Sequence, residues 1–295
     1  MKRVGVSILF LFVFYSVWCI RPYYKLAELN KSIDLAATEI TNCLLKHNFE
    51  VLGEYNPAAK SELKVIVFTC DELTSLATGV SDKGAFGATL KVGLIQEGNK
   101  TLVTLINPCY FSHAYFINEA NTDEVDMMTH RIDSLVSSAL LPLSSSKEYY
   151  GKDIPKDELK KYRFLPYMAD YEDVVELAEY DEYLDAVASV KKNILKGVDD
   201  SKLIYELAFD DKEICVFGIA FNGENVLENQ LIDLLGYHCV TSFPLEVLIQ
   251  GNKAYILNGK YRIPLYKSDI SRLKLFKIMS LSSEIKGCME NIASL

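Results

Sequence analysis

The chain has 295 residues, 49% of them hydrophobic and 24% charged, with a formal net charge of -9. That is globular composition at a length suited to two domains, which excludes large-scale disorder. The acidic balance argues against a nucleic-acid surface, which needs a basic stripe.

Lys2 and Arg3 precede an apolar run from Val4 to Ile20, stopped by Arg21 and Pro22. Two cations before such a run make an export signal, so residues 1–21 are read as a signal peptide. The alternative is an uncleaved anchor over residues 4–20, since about 17 apolar residues suffice to span a bilayer without tilt. The protein is therefore expected outside the cytoplasm, periplasmic or secreted.

A first unit is expected over residues 22–140. Ile33, Ala36, Ala37, Ile40, Leu44 and Leu45 recur at helical spacing, with Ser32 as N-cap. Strands follow at Phe49–Tyr55 and Leu63–Thr69; the second is so uniformly apolar that it should lie inside a sheet. Asp71 reads as the cap of a helix that Gly79 and Gly84 punctuate. Leu90–Gln96 and Thr101–Ile106 form a hairpin across Glu97-Gly98-Asn99-Lys100. Asn107-Pro108 ends it, and an amphipathic helix over Glu124–Leu140 closes the unit.

Residues 141–183 read as a charged connector that becomes rich in tyrosine from Tyr167 to Tyr183. Residues 184–295 then repeat the order: helix Leu184–Leu195, strands Leu203–Phe209 and Ile214–Phe221, helix Val226–Leu235, hairpin Leu245–Gln250/Lys253–Leu257, helix Ile270–Ile292. Leu94-Ile95-Gln96-Glu97-Gly98-Asn99-Lys100 matches Leu248-Ile249-Gln250-Gly251-Asn252-Lys253. The expected fold class is α+β: two similar two-layer units, each helix-strand-strand-helix-hairpin-helix, in tandem duplication.

In the first unit, FEVLGEYNPA (49–58), KVIVFT (64–69) and LKVGLIQEGNKTLVTLINP (90–108) resemble the small domains catalogued as domain of unknown function 302, over roughly Ser32 to Phe116. The resemblance implies a two-layer α+β domain that tends to self-associate, with no established reaction. The second unit departs from the pattern, with Lys260 but no Asn-Pro after its hairpin.

Candidate chemistry is sparse. Four histidines and seven cysteines occur, with no C-x-x-C pair and no spacing that suits zinc. Cys109 and His113 could form a thiolate and its base, with Asn107 as a further candidate but no identifiable third orienting group; the structural alternative is a packed Cys109 and an exposed His113. Asp82, Lys83 and Gly84 could present backbone amides to an anion, or Gly84 could simply allow close packing. Tyr167 and Tyr171 are candidate aromatic contacts for a ligand in a cleft between the units, the alternative being rings packed between domains. The P-loop, Rossmann, zinc-protease and EF-hand patterns are missing from the sequence. Asn30 and Asn99 head glycosylation sequons that matter only in a eukaryotic secretory pathway. Two readings remain: an exported protein that binds a small ligand or a protein partner, a homo-oligomer being one candidate state, with no metal or cofactor; or a degenerate two-copy enzyme with a Cys/His site in the first unit.

Overall fold

A computed structural model describes residues 19–80, 83–116, 122–144, 147–221, 223 and 227–294. The apolar run up to residue 18 lies outside them. Cys19–Ile20 form a short strand, β1. The first unit continues with β2 (Tyr23–Leu29), α1 (Ile33–Lys46), β3 (Glu50–Tyr55), β4 (Leu63–Thr69), α2 (Asp71–Gly79), β5 (Leu90–Glu97), β6 (Lys100–Ile106), α3 (Pro108–Tyr115) and α4 (Thr122–Leu140). After β7 (Glu148–Tyr150) and β8 (Ile154–Pro155) come β9 (Val175–Glu179), α5 (Tyr183–Leu195), β10 (Ser201–Phe209), β11 (Ile214–Phe221), α6 (Leu227–Leu235), β12 (Leu245–Gln250), β13 (Lys253–Ile256), α7 (Gly259–Tyr266) and α8 (Leu275–Ile292). No helix among the described residues is long and apolar enough to cross a membrane.

The fold is α+β, and both halves run in one order. The first sheet is β3-β4-β5-β6-β2 with β7 added at its edge; the second is β10-β11-β12-β13-β9. Every pairing in them is antiparallel. Each sheet therefore uses its first strand beside its last, a placement that requires the opening strand to cross the whole unit.

Those opening strands depart from the sequence expectation, which began each unit with a helix. Tyr23–Leu29 pairs along β6, and Val175–Glu179, assigned above to the connector, pairs along β13. Both are short and polar in part, and each finds its backbone partners far along the sequence: β2 on β6 and β7, β9 on β13. Two helices also went unexpected, α3 and α7, each directly after its unit's hairpin; the closing helix expected over Ile270–Ile292 is α8, which begins at Leu275. Asp71 is the first residue of α2, whose cap is Cys70.

The most apolar strand of each unit lies inside its sheet. Every residue of β4 and β11 is buried, which needs cover on both faces. Helix α1 packs across β3 to β6, and α5 across β10 to β13. The opposite face of each sheet meets the other unit. The 3-10 turn Tyr237–Ser242 of the second unit lies on β4, β5 and β6, while the turn Gly84–Gly87 of the first lies on β11 and β12. Contact there is close enough to require glycine: a Cβ on Gly93 would stand 2.4 Å from Val240 Cγ1.

Candidate functional site

Helix α3 carries three of the predicted residues. Asn107 caps it: its Oδ1 accepts from the Cys109 amide at 3.1 Å, and its Nδ2 donates to the Arg21 carbonyl at 2.7 Å. Both ends of that amide are engaged in structure. Cys109 borders a depression of about 410 Å³ with Cys19, Arg21, Asn107, Tyr149 and Asp153. The Arg21 guanidinium there is already held by Asp153, at 3.0 Å. Burial pushes the Cys109 thiol up to about 12, Asp133 adding to the effect, so at neutral pH it stays protonated and a poor nucleophile.

His113 does not border that depression. It is buried, not exposed as the structural alternative had it, and its Nε2 lies 2.7 Å from Asp126 Oδ1. Lys156 reaches the other Asp126 oxygen at 2.8 Å. Burial lowers the imidazole pKa, with Asp126 opposing. A neutral ring donating from Nε2 to Asp126 leaves Nδ1 as an acceptor, and Nδ1 has no partner. His113 is thus tied to α4 and turned from the Cys109 depression.

The other candidates separate. Asp82 lies outside the described residues. Lys83 takes a left-handed conformation (φ 55°) and holds its ammonium 4.8 Å from the centre of the Tyr255 ring, across the unit boundary. A Cβ on Gly84 would stand 2.6 Å from the Ala77 carbonyl oxygen, so this glycine allows the chain to fold back on α2. Tyr167 and Tyr171 border none of the described cavities. Tyr167 is exposed, whereas Tyr171 is buried against the rings of Tyr115 and Tyr261. Apart from Tyr167, the tyrosine-rich segment gives its rings to the core: Tyr171, Tyr180 and Tyr183 are buried, as their large apolar area favours.

The unit boundary holds what the sequence reading missed. Asn258 caps α7 as Asn107 caps α3, its Oδ1 accepting from the Lys260 amide at 3.0 Å. The departure noted after the second hairpin is therefore a replacement of Pro by Gly behind the same cap. Counted from the caps, Tyr110 matches Tyr261 and Tyr115 matches Tyr266. Tyr110 donates to the Leu265 carbonyl at 2.9 Å, and Tyr261 donates to the Ala114 carbonyl at 3.4 Å. Leu265 and Ala114 are themselves matching positions. The hydroxyls of Tyr115 and Tyr266 face each other at 3.4 Å. Reciprocal bonds around a self-matching pair are the mark of a local two-fold. The pattern Asn-x-x-Tyr-x-x-x-x-Tyr, at 107–115 and 258–266, was the available signal.

Beside this axis sits a buried ionic cluster: Lys91 and Arg262 both bond Glu246, Arg262 at 3.2 Å. Arg262 also donates to the Pro244 carbonyl at 3.2 Å and lies over the Tyr266 ring. Its side chains face one another across the unit boundary and leave no room for a ligand.

An open cavity does occur where the edge strands β3 and β10 meet. Each strand carries an irregularity there, at Val51/Gly53 and Leu203/Tyr205, which prevents the two edges from pairing into one sheet. They touch at Gly53, whose missing Cβ would stand 2.5 Å from the Ile204 carbonyl oxygen. Beside that contact lies a cleft of about 590 Å³, bordered by Asp34, Glu54, Tyr55, Asn56 and Lys64 of the first unit and by Lys202 of the second. Lys64 is paired with Asp34 at 3.1 Å and Glu54 at 3.6 Å. Lys202 is exposed and forms no ion pair among the described residues.

The wall of the cleft is braced from behind by Glu228 of α6. Its carboxylate accepts from the Tyr55 hydroxyl at 3.0 Å, the Ala58 amide at 2.6 Å and the Phe221 amide at 3.3 Å. Ala58 and Ala59 take left-handed φ values of 52° and 55°, costly for residues with a Cβ and held here by those bonds. Burial raises the Glu228 carboxyl to about 7, the hydrogen bonds opposing.

No protein-family model and no curated protein matches the chain. Among solved structures it is similar to a crystal structure described as an uncharacterized conserved protein DUF302 from Bacillus stearothermophilus, with 10% identity over 41% of this chain and 97% of that one and a TM-score of 0.35.

Proposed function

We propose that the protein is an exported binding protein that takes a small anionic or zwitterionic ligand in the cleft between β3 and β10. One observation carries the reading: Lys202, a cation without an ion-pair partner among the described residues, borders an open cavity whose other charged groups are held in a Lys64-centred cluster. Clefts at domain boundaries are favoured ligand sites, and few oriented polar groups are enough for selectivity. Export rests on the apolar leader behind Lys2 and Arg3. The Cys/His reading gains nothing comparable, since Cys109 keeps its proton and His113 is committed to Asp126.

The test is a melting-temperature survey with small dicarboxylates, amino acids and inorganic phosphate, on the wild type and on Lys202→Glu. A ligand present at 100 times its Kd stabilises by about 2.7 kcal/mol, enough to raise Tm by several degrees. Lys202→Glu should abolish that rise while leaving the unliganded Tm unchanged. A rise that survives in the variant, or no rise with any compound at millimolar concentration, overturns the reading. An intact mass of the protein from its own host, unshortened at the N-terminus and recovered from the cytoplasm, overturns export.

A further inference from the structure

The turn from Ser271 into α8 carries the two most exposed large hydrophobic side chains in the described residues: Leu273 is 94% exposed and Phe276 is 87% exposed. They are three residues apart at a helix start, so they leave the surface on one side. Leu275 between them turns inward and packs on the core. The protrusion is thus anchored, and nothing in its own fold covers its apolar tips.

Its charge is equally out of character. Between Lys267 and Lys277 stand four cations and one acid, Asp269, in a chain of net charge -9. Lys267 pairs with Asp269 at 3.4 Å, and Lys277 bonds Gln230 at 2.5 Å. Arg272 and Lys274, the two nearest Leu273, make no ion pair among the described residues. The matching connector of the first unit, between α3 and α4, has Glu119 and no Lys or Arg in its sequence. The basic charge is therefore a property of the second unit's connector alone.

We propose that Ser271–Lys277 is a membrane-docking spur, which lays Leu273 and Phe276 into the interfacial layer of an anionic phospholipid bilayer while Arg272 and Lys274 engage the headgroups. Isolated bulky side chains ringed by cations fit a lipid surface: the rings and branches enter the acyl boundary, and the cations stay at headgroup level. Each basic residue near an anionic surface adds attraction that falls off within a Debye length. A second copy of this chain is a poorer occupant, because the tips stand out singly and form no groove that would receive a matching knob.

The test places a reporter in the full-length chain: Phe276→Trp with the single native tryptophan removed by Trp18→Phe. With vesicles of phosphatidylcholine containing phosphatidylglycerol the introduced indole should shift its emission to the blue, with phosphatidylcholine alone it should not, and raised salt should reverse the shift. In that background Arg272→Gln with Lys274→Gln should raise the lipid concentration at half-shift at least tenfold. In the native background, Leu273→Ser with Phe276→Ser should leave Tm unchanged, because both side chains already stand in water. No blue shift, or an equal shift on neutral vesicles, overturns the proposal. So does a blue shift with protein concentration in the absence of lipid, which would make the patch a contact between copies.

Discussion

The two units share a fold plan yet spend their matching positions differently. Around the local two-fold they agree: Asn107 and Asn258 cap, Tyr110 and Tyr261 donate across the boundary, and Tyr115 meets Tyr266. Away from it they diverge. Phe111 of the first unit stands where the second has Arg262, and Cys109 and His113 stand where it has Lys260 and Pro264. The second residue of α2, Glu72, pairs with Arg131 on the surface at 3.1 Å. The second residue of α6, Glu228, is buried under three hydrogen bonds. What persists in both units is what joins them, whereas the buried charges differ: the first unit buries Lys64 and Lys91, the second Glu228, Glu246 and Arg262. The comparison teaches that the boundary is the structural constant and that any site in one unit need not have a twin.

The sharpest way to break that asymmetry is to remove Glu246. Glu246→Leu leaves Lys91 and Arg262 buried without their anion, and should cost about 3–5 kcal/mol in urea unfolding. The triple change Lys91→Met, Glu246→Leu, Arg262→Met should restore most of it, since a packed apolar cluster of similar volume is often as stable as a buried ion network. If the single change costs under about 1 kcal/mol, the boundary is wetter than its burial indicates.

Glu228 offers a comparison by pH. Its carboxyl titrates near 4.5 when unfolded and near 7 in the fold. Between those values the folded state keeps a proton that the unfolded chain has lost. Its contribution to stability is therefore full below about 4.5, declines as pH rises to about 7 and is flat above that. At 1.36 kcal/mol per unit the loss is about 3 kcal/mol. Glu228→Gln should flatten the stability profile across this window; denaturant midpoints at pH 5 and 8 check it.

Smaller effects probe the joint itself. Gly93→Ala should cost about 1–3 kcal/mol, because the new methyl meets Val240 of the other unit and a packed boundary yields little. Gly98→Ala, on the hairpin tip with no neighbour near its Cβ position but a φ of 59°, tests local strain alone. Least of all, Tyr110→Phe should cost about 1 kcal/mol and Tyr261→Phe less, since the first donates at 2.9 Å and the second at 3.4 Å. Equal losses would show that the two-fold is more regular in solution than its bond lengths indicate.

The hairpins, the buried strands β4 and β11 and the helices α1, α4 and α5 were legible from residue pattern, because each is specified by its own neighbours: apolar periodicity, a Gly-Asn turn, a cap. The shared order of elements in the two halves was legible for the same reason. Of the candidate site, only the idea of a cleft between units could be foreseen. Glu54, Lys64 and Lys202 carry no local mark, and they border one cavity only because two strand edges are bulged at the same height.

Tertiary structure alone decided the opening strands, the helix over Gly259–Tyr266 and the fate of the tyrosines. Val175–Glu179 is a strand because β13 offers it an edge, and Gly259–Tyr266 is helical despite Pro264 because Asn258 caps it and Tyr261 ties it to the other unit. Tyr171 looked like a surface ligand contact and became core, because burial is settled by what arrives from distant sequence, which no local pattern records.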